Sequence, residues 1–121
     1  AIELKFTTNG QYPDTMYHFI QDVAFMEEAK GIGTTCNGKW FNDTFCFTFA
    51  NDPNFYQSPG RKTSQTIYNY FRYSPNAQIT GVITNPKAGK YPSMLNVIGN
   101  YTIQWQPTSI NQGTKYYLIT I

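Results

Sequence analysis

The chain has 121 residues, of which 40% are hydrophobic and only 13% charged, and its formal net charge is +2. This length favours one domain, residues 1–121, with a core of its own, and no apolar run reaches the roughly 18–20 residues that cross a membrane. The aromatic fraction of 17% is high, which favours a sheet-rich protein with a partly ring-packed core. The low charge content favours an extracellular protein over a cytosolic enzyme.

The first elements have clear periodicity. Residues 2–7 alternate apolar and polar side chains, which predicts a half-buried strand. Residues 14–30 predict a helix that begins at the N-cap Asp14 and ends at Lys30 and Gly31. One face of this helix is apolar and consists of Met16, Phe19, Ile20, Val23 and Met26.

Strands and turns are predicted for the rest of the chain. Three phenylalanines share one face of the strand at 45–49, and Gly99 marks a bulge or a close approach of the helix. The segment 66–73 predicts a strand, with a short helix as the alternative. Further strands are predicted at 78–84, 94–105 and 115–121. The sequence therefore predicts an α+β fold, with one N-terminal helix packed on an antiparallel sheet of about five strands.

The two cysteines, Cys36 and Cys46, are separated by nine residues. A hairpin that turns near Gly38 or at residues 42–43 would bring their Cα atoms within disulfide range. A disulfide would place the protein in an oxidising compartment, and we expect it to be secreted. The alternative is two buried free thiols.

Catalytic patterns are missing from the sequence. His18 is the single histidine, so no zinc pattern is present, and we expect neither a metal nor a cofactor. We expect His18 on the helix surface or satisfied in the core. Glu27 and Glu28 diverge by about 100° on the helix and are expected on a solvated face. No nucleophile motif or dinucleotide-binding loop occurs, so we predict no catalytic residue.

Two segments are candidate binding sites. Trp40 and Phe41 lie inside the predicted disulfide loop, either as a binding anchor or folded back to cap the core.

The second candidate is basic and aromatic. All seven carboxylates lie in residues 1–52, so the later residues can form an uncompensated positive surface. Arg61, Lys62, Tyr70 and Arg72 belong to a basic and aromatic segment that suits nucleic acid or another polyanion, and scattered solubilising lysines are the alternative.

Residues 76–84, followed by a glycine-containing loop, resemble a strand late in the small fungal guanyl-specific ribonucleases. The resemblance implies a secreted α+β scaffold with an early helix on an antiparallel sheet. It also implies kinship with ribonuclease-like fungal effectors, which have the fold without the catalysis. The family's catalytic histidine lies near the C-terminal end, whereas no histidine follows His18 here, so no catalytic residue is carried over.

Together these features predict a secreted, non-enzymatic binding or virulence-type protein that acts through its surface. The first alternative is a structural, pilin-like subunit of an extracellular assembly. The second is an RNA-binding protein or a nuclease-type enzyme. A protein partner is favoured, weak polyanion binding is the second expectation, and a monomer is favoured over an oligomer.

Overall fold

The structure, a computed structural model, describes residues 1–7, 10, 12–33, 41–57, 66–73, 75–87, 89 and 93–121. In chain order its main elements are β1 (Ile2–Thr7), α1 (Tyr12–Lys30), β2 (Phe45–Ala50), β3 (Ile79–Thr84), β4 (Met94–Tyr101), β5 (Gln106–Pro107) and β6 (Lys115–Thr120). Two short 3₁₀ helices, Pro53–Phe55 and Thr66–Tyr70, lie between β2 and β3. The α+β class predicted from the sequence is confirmed.

The described strands form two sheets rather than one. Sheet A has the order β1-β2-β6-β5, and sheet B is the hairpin of β3 and β4. β1 and β2 are parallel, whereas the other strand pairs are antiparallel. The predicted single antiparallel sheet of about five strands is therefore wrong in detail. Helix α1 is the crossover connection between β1 and β2. Such a connection lets the second strand run in the same direction as the first.

Helix α1 confirms the predicted periodicity. It begins at Tyr12, two residues before the predicted start, and Asp14 lies in its first turn. All five residues of the predicted apolar face are buried. The helix contacts β2, β4 and both 3₁₀ helices. The core therefore lies between α1, the inner face of sheet A and sheet B.

A buried carboxylate joins α1 to β4. Glu27 is only 2% exposed, and its Oε2 accepts a hydrogen bond from the backbone N–H of Ile98 at 2.9 Å. Its Oε1 accepts from the N–H of Gly99 at 2.6 Å and from the Tyr101 hydroxyl at 2.9 Å. Hydrogen bonds to an ionised acceptor are among the stronger ones in proteins. The predicted solvated face is wrong for Glu27, although its neighbour Glu28 is exposed.

A bulge in sheet B leaves the backbone N–H groups of Ile98 and Gly99 available as donors to Glu27. The register of β3 and β4 shifts between Ile79 and Gly81, so residues 98–100 have no Cα partner in β3. Their amides are thus available to Glu27. A Cβ atom at Gly99 would lie 2.3 Å from the hydroxyl of Tyr101, so the close approach requires glycine. The bulge or close approach predicted at Gly99 is confirmed.

We expect Glu27→Ala to destabilise the fold by about 3 kcal/mol or more, because two N–H groups and one hydroxyl lose their acceptor at roughly 1–3 kcal/mol each. The matched control is Glu28→Ala, next along the same helix and exposed, where we expect a change within about 0.5 kcal/mol. Urea denaturation followed by circular dichroism measures both. Equal effects of the two substitutions would show that the buried carboxylate does not anchor β4.

Candidate interaction surface

The apolar side of β1 faces away from the helix. Ile2, Leu4 and Phe6 are exposed, although they are the apolar residues of the predicted half-buried strand. The polar residue Lys5 points the other way and pairs with Asp22 of α1 at 3.5 Å. The amphipathic alternation is therefore present, but its apolar side is the uncovered one.

Strand β2 is apolar on both sides. Its inner residues Cys46 and Ala50 are buried under α1, whereas the three phenylalanines of the predicted strand face outward and are half-buried. The neighbouring strand β6 repeats the arrangement, with Ile119 buried inside and Leu118 exposed outside. Sheet A thus has two apolar faces, and α1 covers only one of them.

The strand register arranges the uncovered residues in three rows. We call these nine residues the outer face. The first row consists of Ile2, Phe45 and Thr120, and the second of Leu4, Phe47 and Leu118. The third row consists of Phe6, Phe49 and Tyr116. None of these nine residues is charged. Thr120 is the single non-aromatic polar residue among them.

The rings of the outer face are already packed against one another. The centroids of Phe47 and Phe49 are 4.6 Å apart, and Phe47 meets Tyr116 edge-on at 5.6 Å. Phe6 lies 6.3 Å from Phe49. These distances fall within the range of favourable aromatic pairs. The centre of the surface is therefore ordered without any partner.

The outer face exposes a large apolar area to solvent. Ile2, Leu4, Phe6 and Leu118 are each more than half exposed. Such side chains offer roughly 100 Å² of apolar area apiece, so the face amounts to on the order of 600 Å² once its rings are included. The largest apolar patch of a typical monomer covers roughly 300–600 Å² and is often functional. A surface of this size indicates an interaction site.

A pocket of about 430 Å³ adjoins the third row. Its lining consists of Phe6, Phe49, Asn51, Thr108, Ile110, Asn111 and Thr114. Ile110 is 89% exposed. The pocket has apolar walls and a few amide and hydroxyl groups, which suits insertion of a partner's apolar side chain.

The open edge of β1 is less suited to binding than the outer face. In the described part of the chain β1 is one of the two edge strands of sheet A, and β5 is the other. Its Glu3 and Lys5 side chains lie on the helix side and form an ion pair at 3.2 Å. Inward-pointing charges are a common device against edge-to-edge strand pairing. The outer face, and not the edge, is therefore the attractive surface.

Two of the four residues predicted to bind a polyanion, Tyr70 and Arg72, are described, and both are packed into the fold. Arg72 is 7% exposed, and its guanidinium lies 3.9 Å from the Tyr68 ring centroid while Nε donates to the Asn54 carbonyl at 2.6 Å. Burial lowers the pKa of Arg72. Tyr70 is partly buried against the core, and burial raises its pKa. Arg72 thus links the two 3₁₀ helices, and its binding role stays a prediction.

The charge segregation of the sequence is not kept in space. Lys87 of the acid-free segment pairs with Asp14 of α1 at 3.2 Å, and Lys115 lies 4.7 Å from the ring centroid of Tyr56. Arg61 and Lys62 lie outside the described residues, so the predicted basic and aromatic face stays a prediction.

One of the two predicted tip residues, Phe41, lies beside the end of α1. Phe41 is exposed, and its backbone N–H donates to the Ala29 carbonyl at the end of α1 at 3.1 Å. Trp40 lies outside the described residues. The choice between a binding anchor and a core cap therefore stays open for Trp40.

Half of the predicted hairpin between the cysteines, residues 34–40, lies outside the described residues. Both edges of β2 are paired along its whole length, with β1 on one side and β6 on the other. Cys46 has a free, buried thiol, and burial raises its pKa to about 12. Cys36 lies outside the described residues, and its disulfide with Cys46 stays a prediction without structural support.

The single histidine lies on the surface of α1. His18 is exposed on α1 next to the ring of Tyr17, which agrees with the helix-surface alternative. Within the described ranges no cluster of three or more His, Cys, Asp and Glu side chains is placed to hold a metal ion. In the same part of the chain no helix has the length and apolar character needed to cross a membrane.

Comparison of the chain with protein-family models, with curated proteins and with solved structures finds no match. The resemblance of residues 76–84 to fungal guanyl-specific ribonucleases therefore stays a prediction. In the structure, Ile79–Thr84 form β3 of the two-stranded sheet B.

Adjacent residues of β6 test the assignment of the two faces. Leu118 on the outer face is 54% exposed and Ile119 on the inner face is 4% exposed. We expect Ile119→Thr to cost about 2–3 kcal/mol, because it buries a hydroxyl and removes packed methyl groups. Leu118→Thr should change the free energy of unfolding by less than about 0.5 kcal/mol. Urea denaturation at low protein concentration compares them, and the reverse order would mean that the faces are assigned wrongly.

Proposed function

We propose that this protein is a secreted, non-enzymatic binding protein that docks a protein partner on the outer face of sheet A. The observation that carries this proposal is the uncovered face itself, nine residues without a charge in the register of three strands. An apolar surface of this extent lowers its free energy by leaving water, and another protein surface can provide that environment.

The available area is sufficient for binding. About 600 Å² of apolar surface corresponds to roughly 15 kcal/mol when it is removed from water. Association costs roughly 4–15 kcal/mol in lost translational and rotational freedom, with further cost for ordering side chains. Because Phe47, Phe49 and Tyr116 are already packed together, the ordering cost at the centre of the surface is small.

The pocket supports binding rather than catalysis. Its described lining combines Phe and Ile side chains with Asn and Thr, and none of these residues carries a carboxylate, imidazole, thiol or amine. General acid–base catalysis requires a titratable group within hydrogen-bond reach of the reacting atoms. The pocket is better suited to hold an apolar side chain of the partner, with Asn51 or Asn111 as hydrogen-bonding groups at its wall.

A structural subunit of an extracellular assembly is the second candidate. The same outer face favours it, since neighbouring subunits of an assembly bury apolar faces that a free monomer exposes. The RNA-binding alternative has less support, because Arg72 is buried and Lys87 pairs with Asp14.

Photo-cross-linking tests the docking surface in the cells that make the protein. A benzoylphenylalanine residue is placed at Leu4 or at Leu118 on the outer face, or at Val82 or Met94 of sheet B as matched controls. The exposures are 63% for Leu4, 66% for Val82 and 64% for Met94. We expect one protein, identified by mass spectrometry, to form adducts from both outer-face positions and from neither control.

Two outcomes would contradict the proposed function. The first is that Leu4 and Leu118 give no adduct. The second is that the sheet B positions give the same adducts in equal yield. An absence of adducts would mean that no partner covers the outer face, and equal yields would mean that exposure alone accounts for them.

A further inference from the structure

We propose that the partner on the outer face is a second copy of this chain, packed sheet against sheet in a two-fold dimer. This inference rests on the proposed function, because it names the occupant of the same surface. It departs from the monomer that the sequence favours.

The absence of charge makes the outer face compatible with itself. In a two-fold interface the same patch is present on both sides, so a charged residue near the axis meets its own copy or a like charge. The outer face has no charged residue in any of its three rows. The charges of β1, Glu3 and Lys5, lie on the opposite side of the sheet beside Asp22. Apolar interfaces of this kind are typical of homodimers.

The area matches the lower range of stable interfaces. Two outer faces of on the order of 600 Å² each bury about 1,200 Å² together, and specific interfaces bury roughly 1,200–2,000 Å². The exposed Ile110 and the pocket beside it adjoin the third row and extend the available surface. A second copy therefore provides enough contact without any other partner.

The dimensions of the face suit sheet-on-sheet packing. β1, β2 and β6 have six residues each, which corresponds to strands of roughly 20 Å that lie about 4.8 Å apart. Two such sheets pack about 10 Å apart, with their side chains interdigitated. The alternative of joining two β1 edges is disfavoured by the inward charges of that strand, and it would leave both outer faces in water.

Sedimentation equilibrium of the purified chain tests the inference, over concentrations from roughly 1 to 100 µM. We expect a monomer–dimer equilibrium that reaches a plateau at the dimer mass. The double substitution Leu4→Ser and Leu118→Ser should weaken dimerisation about 100-fold, since it removes exposed apolar groups from both copies. The matched control Val82→Ser and Met94→Ser removes equally exposed residues from sheet B and should change the dissociation constant less than about threefold. Circular dichroism verifies that both variants are folded.

The outcomes separate the two proposals. A wild-type chain that stays monomeric, a dimer that Leu4→Ser and Leu118→Ser leave unchanged, or mass that grows without a plateau would overturn the two-fold dimer. Adducts from Leu4 and Leu118 to a different protein, together with a monomer in solution, would overturn the second copy but leave the proposed function standing. A monomer without outer-face adducts would overturn both.

Discussion

One long helix serves as the cover for two sheets. Helix α1 contacts β2 of sheet A and β4 of sheet B, and its buried residues fill the space between them. No described element lies over the opposite side of sheet A, where Leu4 and Leu118 are exposed. Because β2 is apolar on both sides, this limited cover leaves an apolar face in water. The proposed docking function rests on this uncovered apolar face.

The interactions that stabilise the fold lie on the other side of the molecule from the proposed docking surface. Glu27 holds β4 through the amides of Ile98 and Gly99, and Arg72 is held between Tyr68 and the Asn54 carbonyl. These contacts connect α1, sheet B and the 3₁₀ helices. The exposed outer-face residues Leu4 and Leu118 take no part in these contacts, so they are available for binding.

Local pattern accounts for the elements that the sequence predicted. The helix has a 3.6-residue apolar period and the strands have alternation, so both can be read from neighbouring residues. The direction of β1 relative to β2 and the division into two sheets depend on distant pairing. The burial of Glu27 is equally nonlocal, because its donors lie more than 70 residues along the chain. Alternation in β1 also does not tell which side the helix covers, and the outer face was missed for this reason.

Carbene footprinting read by mass spectrometry tests most directly whether the outer face is covered by a second copy. Labelling is compared between dilute protein and protein concentrated enough to associate. We expect labelling of Leu4, Phe6 and Leu118 to fall several-fold on concentration, while the equally exposed Val82 and Met94 of sheet B keep their labelling. Labelling of the outer face that stays the same at both concentrations, or that falls equally on both sheets, would contradict the account.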